Sequence, residues 1–267
     1  MASSSSASLV PELVRLAAEA GRLILSLSSQ GLKIRTKDDQ SPVTNADVRA
    51  EEMLLAGLEK LMPGVPVLAE ESASRGVVPP ISDAFLVLDP LDGTREYVSG
   101  RAEYTVNIGL VADGRPKIGV LHAPALGRTY WGITGSGAAR ALHKPGTIPA
   151  DDAFAAIATR APATPPVALT SRGHNDDVTE VFLDGIGAQE RRRLGSALKF
   201  ALVAEGSADV YPRFGNTMEW DTAAGEAVLS ASGGAVLTPE GTPLGYGKAA
   251  ENFRNGAFIA WGQAPRV

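Results

Sequence analysis

The chain contains no cysteine, only 6% aromatic residues and no excess of positive charge. Without thiols, neither disulfides nor thiolate metal sites can form, which agrees with a reducing compartment. The formal net charge of -5 argues against a general nucleic-acid binder, which would carry a basic stripe. The few aromatics do not cluster beside basic residues, as a single-strand binding surface would require. No apolar run approaches the ~20 residues that span a bilayer, so no integral membrane contact is expected. Residues 1–8 are Ser-rich without a basic n-region, and read as a disordered tail rather than a signal peptide. The expectation is a soluble, cytoplasmic protein.

What is present is ordinary globular material: 267 residues, 44% hydrophobic and 21% charged. That length supports one or two domains and a substantial core. If the substrate is an anion, local cations must hold it against the global negative field.

Leu9, Leu13, Leu16, Ala17, Ala20, Leu23, Ile24 and Leu27 fall at helical spacing, which predicts a helix over 9–28 stopped near Gly31. Residues 33–45 are polar and read as a loop. A second helix is expected from Asn45 to Leu61, with Val48, Leu54 or Leu55, Leu58 and Leu61 facing the core, ending before Pro63-Gly64. A short strand is expected over 66–69, and a longer one, carrying the apolar run 85–88, delivers Asp89. Apolar runs at 104–111 and 117–122 flank Asp113-Gly114, a strong hairpin signal, and 130–133 reads as a further strand. Over 135–166 the pattern degrades into Gly, Ala and Pro. The halves are therefore drawn as 9–140 and 141–267. In the second half, strands are expected at 167–170 and 208–211, and helices at 196–205 and 221–232. Alternating helices and strands with an antiparallel hairpin predict a layered α/β sandwich in two parts.

Acids stand at the ends of these elements. Asp89-Pro90-Leu91-Asp92-Gly93-Thr94 follows the apolar run Phe85-Leu86-Val87-Leu88, so two carboxylates meet the end of a strand, and the turn can open a helix. Freed N–H groups at a helix start suit a phosphate, and carboxylates beside an anion make sense when a hard cation such as Mg²⁺ bridges them. Asp47 and Asp221 lie at expected helix starts, and Glu70-Glu71 follows a strand. Each also has an ordinary explanation: Asp-Pro and Asp-Gly are common turn dipeptides, Asp47 a first-turn carboxylate, Asp221 an N-cap, Glu70-Glu71 a solvated pair. Gathered together, they would repel one another unless protonated or metal-bound.

In combination, Ser41-Pro42-Val43-Thr44-Asn45-Ala46-Asp47, Ala69-Glu70-Glu71-Ser72, Asp89-Pro90-Leu91-Asp92-Gly93-Thr94 and Trp220-Asp221-Thr222-Ala223-Ala224-Gly225 resemble the signatures of the inositol monophosphatase superfamily. These are Mg²⁺-dependent, Li⁺-sensitive phosphatases. The resemblance spans about 9–261. It implies an α/β (α+β) layered αβαβα sandwich of the inositol monophosphatase / fructose-1,6-bisphosphatase type. It also implies that Glu70, Asp89 and the Leu91 carbonyl hold one Mg²⁺, and that Asp89, Asp92 and Asp221 hold a second. A third ion would sit on Glu70 and waters. Thr94, helped by Asp47, would orient or deprotonate the attacking water, and the N–H groups of Gly93 and Thr94 would hold phosphate oxygens.

Arg95-Glu96-Tyr97 resembles the CysQ-type 3'(2'),5'-bisphosphate nucleotidases within that superfamily, as do Ser171-Arg172-Gly173-His174, Gly195-Ser196-Ala197-Leu198-Lys199 and Tyr211-Pro212-Arg213-Phe214-Gly215. The resemblance implies hydrolysis of adenosine 3',5'-bisphosphate to AMP and phosphate in sulfur assimilation. His174, Ser196, Lys199 and Arg213 would contact the nucleotide; solvation or helix capping is the alternative for each. An inositol or sugar phosphate monoesterase is the rival within the same chemistry, and a silent Mg²⁺-binding regulator the rival outside it. His122 and His143 read as structural, Trp220 as core packing. Members of the superfamily often form dimers, so a homodimer is an open state.

Overall fold

The computed structural model describes residues 3–28, 32–36, 42–173 and 177–263, with side chains from Ser8 onward. The helix stop at Gly31, the middle of the expected 33–45 loop and His174 lie outside these residues.

Helix α1 (Ser3–Ser28) starts before the expected Leu9, so residues 3–8 are helical rather than an irregular tail. Once a packed helix exists, each added residue fixes few dihedrals per bond, and Ser and Ala extend it readily. Its buried face is Val10, Leu13, Ala17, Ala20, Ile24 and Leu27. Where a loop is expected, β1 (Ile34–Thr36) pairs antiparallel with β2 (Pro42–Thr44). These polar strands carry little apolar periodicity, so the ladder left no hydrophobic trace in the sequence. Helix α2 (Asn45–Leu61) has the expected limits and buries Ala46, Ala50, Leu54 and Leu58.

Next come β3 (Val67–Ala69), the short helix α3 (Glu70–Ser74), β4 (Ala84–Asp92), helix α4 (Thr94–Val98), β5 (Thr105–Ala112) and β6 (Arg115–Ala123). Asp113 and Gly114 close the β5–β6 hairpin with positive φ at both residues, the geometry a two-residue hairpin favours. Strand β7 (Arg128–Ile133) is followed by β8 (Gly137–Leu142) and β9 (Phe154–Ile157), which extend the same seven-stranded sheet in the order β3-β4-β5-β6-β7-β8-β9. The boundary drawn at 140/141 thus cuts β8, and the first sheet persists to Ile157. Ala and Gly in β8 and Ala in β9 carry too little β signal to read as strand.

The second half contributes β10 (Val167–Ser171), α5 (Asp177–Gly185), β11 (Glu190–Leu194), α6 (Leu198–Ala204) and β12 (Val210–Arg213). After these come β13 (Thr217–Met218), α7 (Glu219–Ala231), β14 (Ala235–Leu237), β15 (Arg254–Asn255) and β16 (Phe258–Trp261). Its five-stranded sheet runs β11-β10-β12-β16-β14. Helices α1 and α2 cover one face of the larger sheet, while α7, beside α6, covers the other. On the far face of the smaller sheet, Leu183 of α5 packs with Ala168, Val210 and Ile259. The result is the layered αβαβα sandwich.

A row of glycines sets how closely α7 lies on the larger sheet. Gly109, Gly119 and Gly132 are register partners across β5, β6 and β7. A Cβ at Gly119 would stand 2.2 Å from the Ala224 carbonyl oxygen, and one at Gly132 2.6 Å from Val228 Cα. Backbone therefore packs against backbone. Gly119→Ala is expected to push α7 outward and cost about 1–3 kcal/mol, read as a lower thermal midpoint; an unchanged midpoint would contradict the close approach.

His122 and His143 have structural roles, as expected. His143 Nδ1 lies 3.1 Å from the Lys144 carbonyl, so its Nδ1–H donates there and its Nε2 accepts from Thr129 Oγ1 at 2.9 Å. Thr129 Oγ1 in turn accepts from His122 Nδ1 at 2.8 Å. Burial pushes His122 down to about 3, so its ring is neutral.

Candidate active site

Residues three apart on a regular strand point to opposite faces, so Asp89 and Asp92 should diverge. They do not, because the β4–β5 register shifts between them: Asp89 pairs with Asn107, and Asp92 with Thr105. The extra residue in β4 is a bulge that turns both carboxylates to one side. Pro90 is at home there, since a bulge leaves a residue that need not donate to the ladder. Gly93 then takes φ 93, a conformation that costs glycine little, and α4 begins at Thr94.

Asp47 and Asp221 reach the same region by a shared device. Each is the third residue of its helix and turns back to accept the backbone N–H just before it: Thr44 N to Asp47 Oδ2 at 2.8 Å, Met218 N to Asp221 Oδ2 at 2.7 Å. Each carboxylate thus satisfies an orphan helix donor and complements the helix dipole. Neither is the N-cap residue itself.

Asp89, Asp92 and Asp221 form a cluster whose ligand atoms all lie within 4.8 Å of one another, and this cluster can hold a metal ion. Burial, then Glu70, Asp92 and Asp221, hold the Asp89 carboxyl well above the usual carboxylate range. Burial likewise raises Asp221 to about 8, reinforced by Asp92 and Glu70. Asp92 is raised to about 6 by burial, against the pull of Lys199 and of hydrogen bonds from Ala197 N and Asn107 Nδ2. Like charges this close and this dry ionise together only with a cation among them.

Glu70 lines the same cleft, but Glu71 does not share its setting: it is buried, not solvated. The reason lies behind α3. Its N-cap residue is Ala69, which has no side chain to cap with. Buried Glu51 of α2 substitutes, accepting from Glu71 N at 2.7 Å and from Ser72 Oγ at 2.7 Å. That contact fixes the turn on which Glu70 stands. Glu51 follows Asp47 by one helical turn on the core-facing side of α2, and a charge there is the signal that could have disclosed it. Asn107, a lone amide in the apolar run 104–111, gave a similar signal.

Thr94 Oγ1 lies 2.9 Å from Asp47 Oδ1 and 3.1 Å from the Leu91 carbonyl. Asp47 also accepts from Thr44 Oγ1 at 2.6 Å, and burial raises its carboxyl. The two residues that the family resemblance pairs, Thr94 and Asp47, are joined by a hydrogen bond between α2 and α4.

The cleft above these groups measures about 730 Å³. Glu70, Asp89, Asp92 and Asp221 line it. So do Ser196, Lys199 and Arg213, together with Arg95, Arg172 and Arg254. Lys199 is buried; its Nζ donates to the Ser196 carbonyl at 2.6 Å and stands 4.9 Å from the Tyr211 ring centroid. Burial lowers it to about 8, and Arg213 works in the same direction. Ser196 holds φ 53, with Oγ accepting from Leu198 N at 3.2 Å, so it caps α6 as well as facing the cleft. Arg213 donates to the carbonyls of Gly215 and Asn216. Arg95 and Glu96 both line the cleft; Glu96 lies 3.8 Å from Arg172, which also reaches Glu103 at 2.8 Å and so ties the two halves. Trp220 is buried beside Asp221 in the main core cluster, as expected. Among the described residues, no helix is long and apolar enough to cross a membrane.

Known proteins resemble this chain in sequence and fold. A family model described as the inositol monophosphatase family matches residues 7–260. The 3'(2'),5'-bisphosphate nucleotidases CysQ of Salmonella typhimurium and Escherichia coli are each 37% identical over 252 residues, covering 94% of this chain and 98% of theirs. The crystal structure of CysQ from Bacteroides thetaiotaomicron, a bacterial member of the same family, superposes with a TM-score of 0.79 at 33% identity, covering 98% of both chains. A Thermotoga maritima inositol monophosphatase follows at 0.75 and 26% identity, over 93% of this chain and 90% of that one. The matched span, the layered fold and the acidic cluster agree, and the chain belongs to the inositol monophosphatase family.

Proposed function

We propose that the protein is a metal-dependent phosphatase that removes the 3'-phosphate of adenosine 3',5'-bisphosphate, yielding AMP and phosphate in sulfur assimilation. One observation carries the substrate choice: the cleft that holds the carboxylates is also lined by the cations Lys199 and Arg213, both buried. A simple phosphate monoester needs only the carboxylates and their metal. A second, non-reacting phosphate gives Lys199 and Arg213 a partner. The similarity to bisphosphate nucleotidases at 37% identity supports the same choice.

The donor set fits Mg²⁺, being all hard oxygen with too many buried acids to ionise unaided. Glu70, Asp89 and the Leu91 carbonyl would hold one ion, Asp89, Asp92 and Asp221 a second, and Glu70 with waters a third. When bound, these ions supply a water of lowered pKa and neutralise charge on the leaving oxygen. The chain's own groups do the rest. Asp47 accepts the Thr94 hydroxyl proton, which leaves Thr94 Oγ1 lone pairs to accept from an attacking water. N–H groups of Gly93 and Thr94 hold phosphate oxygens as charge develops. Asn107 and the Ala197 N–H keep Asp92 oriented. No covalent enzyme intermediate is required.

Lys199→Ala separates this reading from a monoesterase. KM for adenosine 3',5'-bisphosphate is expected to rise about tenfold, the worth of one charge-assisted hydrogen bond. KM for inositol 1-phosphate is expected to stay put. Steady-state kinetics on both substrates check it, and unchanged KM for both would remove Lys199 from nucleotide binding.

A further inference from the structure

Asp221 depends on the first turn of α7 for its position, and that turn is held from behind by one buried amide. Asn255 of β15 is buried beside β13, where Thr217 is its register partner. Its Nδ2 donates to the Met218 carbonyl at 2.9 Å and to Thr222 Oγ1 at 2.9 Å, with Thr217 Oγ1 more distant at 3.4 Å. Met218 is the residue whose N–H grips Asp221 Oδ2, and Thr222 is the next residue after Asp221. One amide therefore spans the aspartate from both sides. Asn255 Oδ1 accepts from Lys248 Nζ at 2.9 Å. The amide orientation follows from two of these partners: the Met218 carbonyl can only accept and the Lys248 ammonium can only donate, so a flipped amide would lose both bonds.

Lys248 is itself anchored to the same turn. Its Nζ lies 3.2 Å from Glu219 Oε1, and the fully buried Glu219 carboxylate accepts from Gly247 N and Lys248 N, both at 2.9 Å. Glu219 is the first residue of α7. The loop at 247–248 and β15 thus close on the helix start as a satisfied polar network, the kind that fixes one geometry.

We propose that Asn255, oriented by Lys248, is a positioning residue for Asp221 and so sets metal affinity at the acidic cluster without touching substrate. The inference rests on the metal-dependent reading above. Groups that hydrogen-bond around a ligating carboxylate typically govern 10–100-fold in metal affinity.

The test is titration of the full-length protein with Mn²⁺, reading free Mn²⁺ by electron paramagnetic resonance, for wild type, Asn255→Leu, Lys248→Met and Asp221→Asn. Asn255→Leu is expected to raise the Mn²⁺ Kd about tenfold, and Lys248→Met several-fold, while KM for the phosphate ester at saturating metal stays at the wild-type value. A merely structural residue would lower the thermal midpoint and leave both constants alone. A Kd within twofold of wild type in folded Asn255→Leu overturns the inference. If that variant does not fold, an unchanged Kd in Lys248→Met overturns it instead. Wild type that binds no Mn²⁺, or binds it as well after Asp221→Asn, defeats the metal-site reading itself and this inference with it. Tight wild-type binding lost in Asp221→Asn but kept in Asn255→Leu defeats the inference alone.

Discussion

Asp89→Asn is expected to abolish turnover and, in metal-free protein, to raise the thermal midpoint. The loss should reach about 10³-fold or more in kcat, since Asp89, proposed to hold both ions, would take several kcal/mol of charge stabilisation with it. The opposite sign on stability has a separate cause. Asp89 is buried, and its ionised form is disfavoured by burial and by Glu70, Asp92 and Asp221, so the metal-free fold must take up a proton there. Asparagine keeps an oxygen for the Leu91 N–H, which Asp89 Oδ1 accepts at 3.0 Å, and needs no proton. A gain of about 1–2 kcal/mol, a few degrees in a chain of this size, is the expected result. Mg²⁺, which should stabilise the wild type by mass action, should no longer shift the variant's midpoint. Scanning calorimetry with EDTA and with Mg²⁺ checks both signs. A variant that hydrolyses like the wild type, or still responds fully to Mg²⁺, contradicts the ligand assignment.

The second large effect is a pH-dependent gap between metal-free and metal-loaded stability. In the fold, Asp92 stands at about 6 and Asp221 at about 8, both above the ordinary value near 4. The folded state therefore binds more protons than the unfolded chain across that interval. The stability these protonated carboxyls contribute is complete below about pH 4 and is lost as pH rises through about 6 and then 8. Each group costs about 1.4 kcal/mol per pH unit within its own window. His122 acts in the other direction: its ring stands at about 3 in the fold and near 6.5 unfolded, so stability falls as pH drops below 6.5. Mg²⁺ bound at the proposed site would displace the carboxyl protons and cancel the alkaline loss, so its half-saturating concentration should fall as pH rises. Melting curves from pH 5.5 to 9 should show the EDTA and Mg²⁺ midpoints diverging with pH. Parallel curves would contradict a proton–metal exchange at Asp92 and Asp221.

How much of this was legible beforehand depends on whether a residue's signal is local. The α2 limits, the Asp113-Gly114 hairpin and the acids of Asp89-Pro90-Leu91-Asp92 are written in spacing and turn chemistry. The convergence of Asp89 and Asp92 is not, because it depends on a bulge defined only against Asn107 and Thr105 of β5. The β1–β2 ladder, β8 and β9 were missed for lack of apolar alternation. Their partners, not their own side chains, make them strands. Gly109, Gly119 and Gly132 look unremarkable in sequence, yet in register they form the bed for α7. Asn255 gave no signal at all, standing in a short segment whose meaning comes from Met218 and Thr222 on another element. Glu51 did carry one, as a charge on the core face of a helix. Ser196 and Lys199 were placed in the cleft by their family resemblance, whereas burial of Lys199 against Tyr211 is a tertiary fact.

The most direct test of the whole reading is phosphate release from adenosine 3',5'-bisphosphate and from inositol 1-phosphate, side by side, with and without Mg²⁺. Fast, Mg²⁺-dependent release from the nucleotide with slow release from inositol phosphate is the expected result. Equal rates, or a preference for inositol phosphate, would contradict the assignment of Lys199 and Arg213 to a nucleotide. Release that persists unchanged in EDTA would contradict the metal centre on which everything else depends.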